Sequence, residues 1–181
     1  YNKRLLPNYD VFDEQRYFFN GEDVGVYKLI YKNINIKIGL QICEDLWDDN
    51  QELKVSEEQK KNGAEILINI SASPFSIGKL EKRIKLIKKK IKELKLPFIY
   101  CNMVGAQDEI IFDGSSLAFS STGSLIKQGK YFKECISITN SNVKKSCSVI
   151  FQKKEKKIFN ALCLGVSDYF SKTGHKEAVL G

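Results

Sequence analysis

A single histidine, His175, occurs in the 181 residues, and it stands near the C-terminal end of the sequence. Ser-His-Asp and Cys-His catalysis both need an imidazole beside the nucleophile, so neither fits this chain, and metal sites built on His are as poorly supplied. The five cysteines, at 43, 101, 135, 147 and 163, are odd in number, widely spaced and without a C-x-x-C pair. That pattern argues against zinc and against a disulfide framework, and for reduced thiols in a cytoplasmic protein. No apolar run approaches the ~20 residues that cross a bilayer, and Tyr1-Asn2-Lys3-Arg4 leads into no secretory core, so no membrane partner is expected. An initiating Met is also missing, and we expect the chain to be an excerpt of a longer protein.

What is present starts with charge. The net charge of +7 invites a nucleic-acid reading, yet much of it is concentrated in 79–95. There Leu80, Ile84, Ile87, Ile91 and Leu94 recur at spacings of three and four, which predicts an amphipathic helix with a lysine-covered solvent face. No aromatic residues interleave with those lysines, so we expect no nucleic-acid partner.

The segment 36–47, I-K-I-G-L-Q-I-C-E-D-L-W, organises the rest. Ile36, Ile38, Leu40 and Ile42 alternate with Lys37, Gly39 and Gln41, predicting a strand that ends at Cys43 and turns into an acidic stretch. A side chain at that point stands at the sheet edge, where the active sites of α/β folds lie. On this stretch alone, Cys43 is as readily a buried packing residue as a reactive thiol.

In chain order, Pro7 and Asn8 enforce a loop. Strands are predicted at 27–31, 34–42, 65–70, 98–104, 116–120, 125–127 and 131–138, with helices at 53–62 and across the lysine-rich 79–95. Residues 105–114 read as a loop and 139–156 as a polar linker. A further amphipathic helix is predicted from near Ile158 to about Lys172, then the start of a strand at 178–181. Strand, helix, strand, helix, strand and then hairpins make an α/β layered fold with a mixed sheet.

Without an imidazole, a nucleophilic Cys43 must lose its proton to a carboxylate, and its developing charge must meet a lysine or backbone N–H groups. Glu14, Glu44, Asp45 and Lys3 are available. A cysteine served by glutamate and lysine resembles the carbon-nitrogen hydrolase (nitrilase) superfamily. Four segments, Y-N-K-R-L-L-P-N-Y-D-V-F-D-E-Q-R-Y-F, I-C-E-D-L-W, N-I-S-A-S-P-F-S-I-G-K and N-M-V-G-A-Q-D-E-I-I-F-D-G-S-S, resemble in that order the glutaminase domains of glutamine-dependent NAD synthetases. Residues 157–181 resemble the opening helix and strand of the synthetase domain in that family.

The resemblance implies a partial four-layer αββα sandwich over 1–138, a linker at 139–156, and the start of a Rossmann-like ATP-pyrophosphatase domain at 157–181. It implies Cys43 as the nucleophile toward L-glutamine, Lys3 as oxyanion stabiliser and Glu14 as supporting acid. The family's main general base, a glutamate, lies upstream of Tyr1, so the chain by itself is expected to be catalytically incomplete. Glu44 has two readings, orienting substrate or buttressing Lys3, with buttressing ranked first. Tyr9, Ser73 and Lys79 are implied as glutamine-binding residues. Read without the resemblance, Tyr9 packs, Ser73 caps the following helix and Lys79 joins the solvated face. No cofactor is implied for the glutaminase part. ATP, Mg2+ and deamido-NAD belong to the synthetase domain, and an ammonia tunnel within a homo-oligomer is expected. The competing readings are a stand-alone amidase of the same superfamily, against which the 157–181 tail argues, and a non-catalytic basic binding module.

Overall fold

The structure, a computed structural model, describes residues 1–140 and 146–181. Its centre is a six-stranded mixed sheet in the order β1-β2-β3-β4-β7-β8. β1 (Val26–Tyr31) pairs antiparallel with β2 (Ile34–Ile42), and β2, β3 (Ile66–Ser71) and β4 (Phe98–Asn102) run parallel. β7 (Leu117–Phe119) and β8 (Leu125–Gln128) complete the sheet as an antiparallel edge. Parallel neighbours need crossovers, and these are α1 (Val55–Lys61) between β2 and β3 and α2 (Lys79–Leu94) between β3 and β4.

The pleat divides the sheet's residues by face. Gly39, Gln41, Leu67, Asn69, Phe98, Tyr100 and Leu117 are all buried. α2 lays Leu80, Ile84, Ile87, Ile91 and Leu94 into the same core, so the apolar stripe read from the sequence is the packed one. Burying each such side chain is worth about 1.5–3 kcal/mol. The alternate residues Ile38, Leu40, Ile42, Ile68, Ile70, Ile99 and Cys101 remain half-buried or exposed, an apolar face with no described layer over it.

Four expectations change. Residues 105–114 are a hairpin rather than a loop: β5 (Val104–Gln107) and β6 (Ile110–Asp113) pair antiparallel around a turn with Asp108 at φ 50°. Residues 131–138 form no strand. Tyr131 makes a single bridge to Gly114, Phe132 turns left-handed at φ 53°, and Ile136 and Ile138 stand exposed. Residues 178–181 are likewise not a strand, since no described strand lies beside them, and Val179 and Leu180 are exposed. α3 (Lys154–Thr173) begins inside the stretch read as linker, of which positions 141–145 lie outside the described residues. α3 packs on the hairpin: Ala106 N–H donates to Asp168 at 2.7 Å, Lys172 bonds the Ala106 carbonyl, and Ala161 enters the main core.

Candidate active site

Cys43 is the first residue after β2 and opens a single 3-10 turn, Cys43–Leu46. Its φ of 44° lies in the left-handed region, which turns the chain sharply off the strand and sets the side chain at the carboxyl end of the parallel strands. Asp45 makes that corner rigid. Fully buried, it accepts from the backbone N–H of Arg4 at 3.0 Å and Leu5 at 2.9 Å through Oδ1. Through Oδ2 it accepts from the Ile42 N–H at 2.9 Å and the Tyr1 hydroxyl at 2.7 Å. One carboxylate therefore ties the segment that carries Lys3 to the corner that carries Cys43. Asp45→Asn turns one acceptor oxygen into a donor facing N–H groups that have no water to turn to. We expect it to cost about 2–3 kcal/mol of stability, measured by chemical denaturation, and a variant as stable as the parent would discount the tie.

Lys3 Nζ donates to both carboxylate oxygens of Glu14, at 2.7 and 2.6 Å. An ammonium has three N–H groups, so one stays free to face an oxygen in the site. The Tyr9 hydroxyl donates to Glu44, at 2.9 Å to Oε1 and 2.8 Å to Oε2. Lys3 is thus paired by Glu14, while Glu44 is held by Tyr9. The Lys79 ammonium lies 4.5 Å from the centre of the Trp47 ring, at the first turn of α2, which Gly78 admits at φ 82°.

These groups share one electrostatic neighbourhood. Burial pushes the Cys43 thiol above its ordinary range, outweighing the Lys3 charge and the contacts to the Ser71 hydroxyl and Ala72 backbone that pull it down. Burial also raises the Glu44 carboxyl, against the Tyr9 hydrogen bond and the charges of Lys3 and Lys79. Lys79 is lowered by burial first and by Arg83 second. Tyr9 is raised by burial and by its bond to Glu44. Cys43 therefore rests as a neutral thiol that a base must deprotonate, beside cations placed to meet negative charge.

Ser73 is brought to the same strand ends but faces inward. Its N–H donates to Asn102 Oδ1 at 3.0 Å, and its hydroxyl accepts from Arg83 at 3.1 Å. Arg83 also donates to the Ser73 carbonyl at 2.8 Å and to Asp113 at 2.8 Å, with both members of the ion pair buried. Arg83 belongs to the basic run 79–95 that the sequence places on a solvated face, yet it is fully buried. Its place one turn after Lys79 on a helix whose stripe is apolar was the available signal, and its partner Asp113, thirty positions away, was not visible.

This geometry joins a lysine, a glutamate and a cysteine at the edge of an α/β sheet, and the sequence matches the family described as carbon-nitrogen hydrolase over residues 1–146. The chain belongs to the carbon-nitrogen hydrolase family. As a carbon-nitrogen hydrolase it is 37% identical over 195 residues to the glutamine-dependent NAD(+) synthetase of Synechocystis, a match covering all of this chain and 34% of that protein. The glutamine-dependent NAD+ synthetase of Acinetobacter baumannii, solved in complex with ADP, superposes with a TM-score of 0.81 at 30% identity, covering 96% of this chain and 32% of that one. A carbon-nitrogen hydrolase from Helicobacter pylori G27 superposes with a TM-score of 0.62 at 26% identity, covering 73% and 48%. The chain spans about a third of the length of the curated relatives it matches. Among the described residues no group of three or more His, Cys, Asp or Glu could hold a metal ion, and no helix is long and apolar enough to cross a membrane.

Proposed function

We propose that this chain is part of a glutamine-dependent NAD synthetase and that its site hydrolyses the side-chain amide of glutamine. One observation carries the reading: the half-buried Cys43, whose thiol is held above its ordinary range, shares its surroundings with an ammonium already pinned by Glu14. In this reading the thiol loses its proton to a carboxylate. Glu14 is engaged by Lys3 and Glu44 by Tyr9, so the acceptor that the family resemblance implies is a glutamate preceding Tyr1. The thiolate sulfur attacks the amide carbon, and the carbonyl oxygen becomes an oxyanion facing the free N–H of Lys3. The amide nitrogen takes up a proton and leaves as ammonia. Water then attacks the thioester and releases glutamate and the thiol.

Tyr9 with Glu44, and Lys79 over Trp47, are suited to the two charged ends of an amino acid, Glu44 to its ammonium and Lys79 to its carboxylate. Ser73 serves through the loop it anchors, with its hydroxyl on Arg83. Residues 1–138 form the glutaminase part in this reading, 139–156 the connection and 157–181 the opening of the synthetase part. The ammonia amidates deamido-NAD at the expense of ATP with Mg2+, chemistry to which no residue of this chain is assigned. A homo-oligomer with a shielded ammonia path and a cytoplasmic setting, consistent with five free cysteines, complete the proposal.

The test is an electrophilic glutamine analogue carrying a diazo-ketone, applied to the full-length protein and followed by peptide mapping. A single adduct on Cys43 that glutamine blocks is the expected result, with Cys101, Cys135, Cys147 and Cys163 unlabelled although all four are exposed. A folded protein with no adduct at Cys43 would make that thiol structural.

A further inference from the structure

Two hydroxyls near Cys43, one half-buried and one fully buried, are left over by this mechanism. The parallel register pairs Ile42 with Ile70, which puts Cys43 across from Ser71, and the Ser71 hydroxyl lies near enough to the thiol to favour its charged form. Ser71 in turn donates to Asn69 Oδ1 at 2.6 Å. Asn69 is itself fixed, with its amide nitrogen 3.3 Å from the Cys43 carbonyl and 3.4 Å from Gln41 Oε1. The second hydroxyl belongs to Tyr100, which pairs with Asn69 across β3 and β4 and is 0% exposed. Its oxygen lies beside Ser71 and Ser73, yet among the described residues it completes no hydrogen bond. Leaving such a group unpaired and away from water is unfavourable, and it needs an explanation in some other state of the site.

We infer that Ser71 is a further catalytic residue: when the Cys43 thiolate forms, the Ser71 hydroxyl turns from Asn69 to donate to the sulfur, and the Tyr100 hydroxyl donates to Ser71. The bookkeeping of hydrogens supports it. A serine hydroxyl has one hydrogen, which the resting state spends on Asn69 while the neutral thiol needs no donor. Once the sulfur is charged, a donor to it is worth roughly twice a neutral hydrogen bond, so the hydrogen reorients. The two lone pairs of Ser71 Oγ turn with its hydrogen, and in the turned orientation one of them can accept from the Tyr100 hydroxyl, which then has the partner it lacks. No proton changes owner in this step. Tyr100 does not touch the sulfur and is a positioning residue. The inference rests on Cys43 being the nucleophile, but on nothing about which amide it attacks.

The experiment is alkylation of the full-length protein by iodoacetamide from about pH 6 to about pH 10, with the rate at Cys43 followed by mass spectrometry and the four exposed cysteines as internal references. Lys3, Glu44, Lys79 and Tyr9, the other charged or titratable groups facing the thiol, stay in place throughout. Ser71→Ala is expected to move the midpoint up by about one pH unit, a roughly tenfold slower reaction at neutral pH. Tyr100→Phe should shift it the same way by less, and Ser71→Thr, which keeps the hydroxyl, should restore the parent profile. An unmoved midpoint in Ser71→Ala, or a shift of equal size in Ser71→Thr, would overturn the inference, the latter because packing rather than the hydroxyl would then be responsible. If Ser71→Ala does not fold, Tyr100→Phe carries the test alone, and an unmoved midpoint there overturns it. Protection of Cys43 by glutamine, read in the same samples, reports only on the glutaminase reading, so the two fail separately.

Discussion

Cys43→Ala in the full-length protein is expected to abolish NAD formation from glutamine while leaving formation from free ammonia largely intact. Loss of the attacking sulfur removes the covalent route altogether, so the glutamine-supported rate should fall by about ten-thousand-fold or more. In the proposed reaction ammonia enters after the step assigned to Cys43, and alanine deletes one sulfur without disturbing the Asp45 bonds that shape the corner. Paired assays with the two nitrogen donors separate the outcomes. Equal loss of both activities would mean that Cys43 supports the fold or the second site rather than amide cleavage.

Arg83→Leu should cause the other large effect, and it is one of stability. The guanidinium is 0% exposed and its partner Asp113 is 2% exposed, so leucine would strand a carboxylate without counter-ion or water. Breaking one side of such a pair costs about 3–5 kcal/mol. Among the described residues the Asp113 carboxylate would retain Asn102, which donates to it at 3.2 Å, while the Pro74 carbonyl would lose its donor and the Ser73 carbonyl would keep a long one, Asn102 at 3.5 Å. The loop after β3 should loosen with them. Chemical denaturation measures the first consequence, and the Michaelis constant for glutamine the second. Adding Asp113→Asn to the same chain should recover part of the loss by removing the stranded charge. A single variant within about 1 kcal/mol of the parent would show that water reaches the pair after all.

Much of this was legible because the governing interactions are local. Alternation along β2 and the stripe at Leu80, Ile84, Ile87, Ile91 and Leu94 depend only on period, and both elements lie where the period put them. The hairpin at 104–113 was obscured by its own turn, since Gly105, Asp108 and Glu109 read as loop chemistry while the pairing that makes it a hairpin is a tertiary fact. Residues 131–138 went the other way: aromatic residues suggested a strand, but Tyr131 and Phe132 both turn into the core and leave no alternating face. Within the site, the residue types were readable and their partners were not. Lys3 to Glu14 spans eleven positions, but Tyr9 to Glu44 spans thirty-five and Arg4 to Asp45 forty-one, and only the packing of the N-terminal segment against the turn after β2 brings the distant pairs together. Ser71 illustrates the limit. Between Asn69 and Ser73 nothing distinguishes it in the sequence, and it becomes notable only once β3 is laid beside β2.

The left-handed backbone at Cys43 has an evolutionary reading. A φ of 44° suits glycine or asparagine, and holding a residue with a side chain there costs on the order of 1 kcal/mol. The sharp corner presents the sulfur, so stability and reactivity are in opposition at a single position. A lineage selected only to keep this domain folded, as a scaffold for a neighbouring enzyme, would drift toward glycine at 43 and gain stability as it lost catalysis. Under the proposed function, the strain at this corner is offset only by the chemistry of the sulfur it presents.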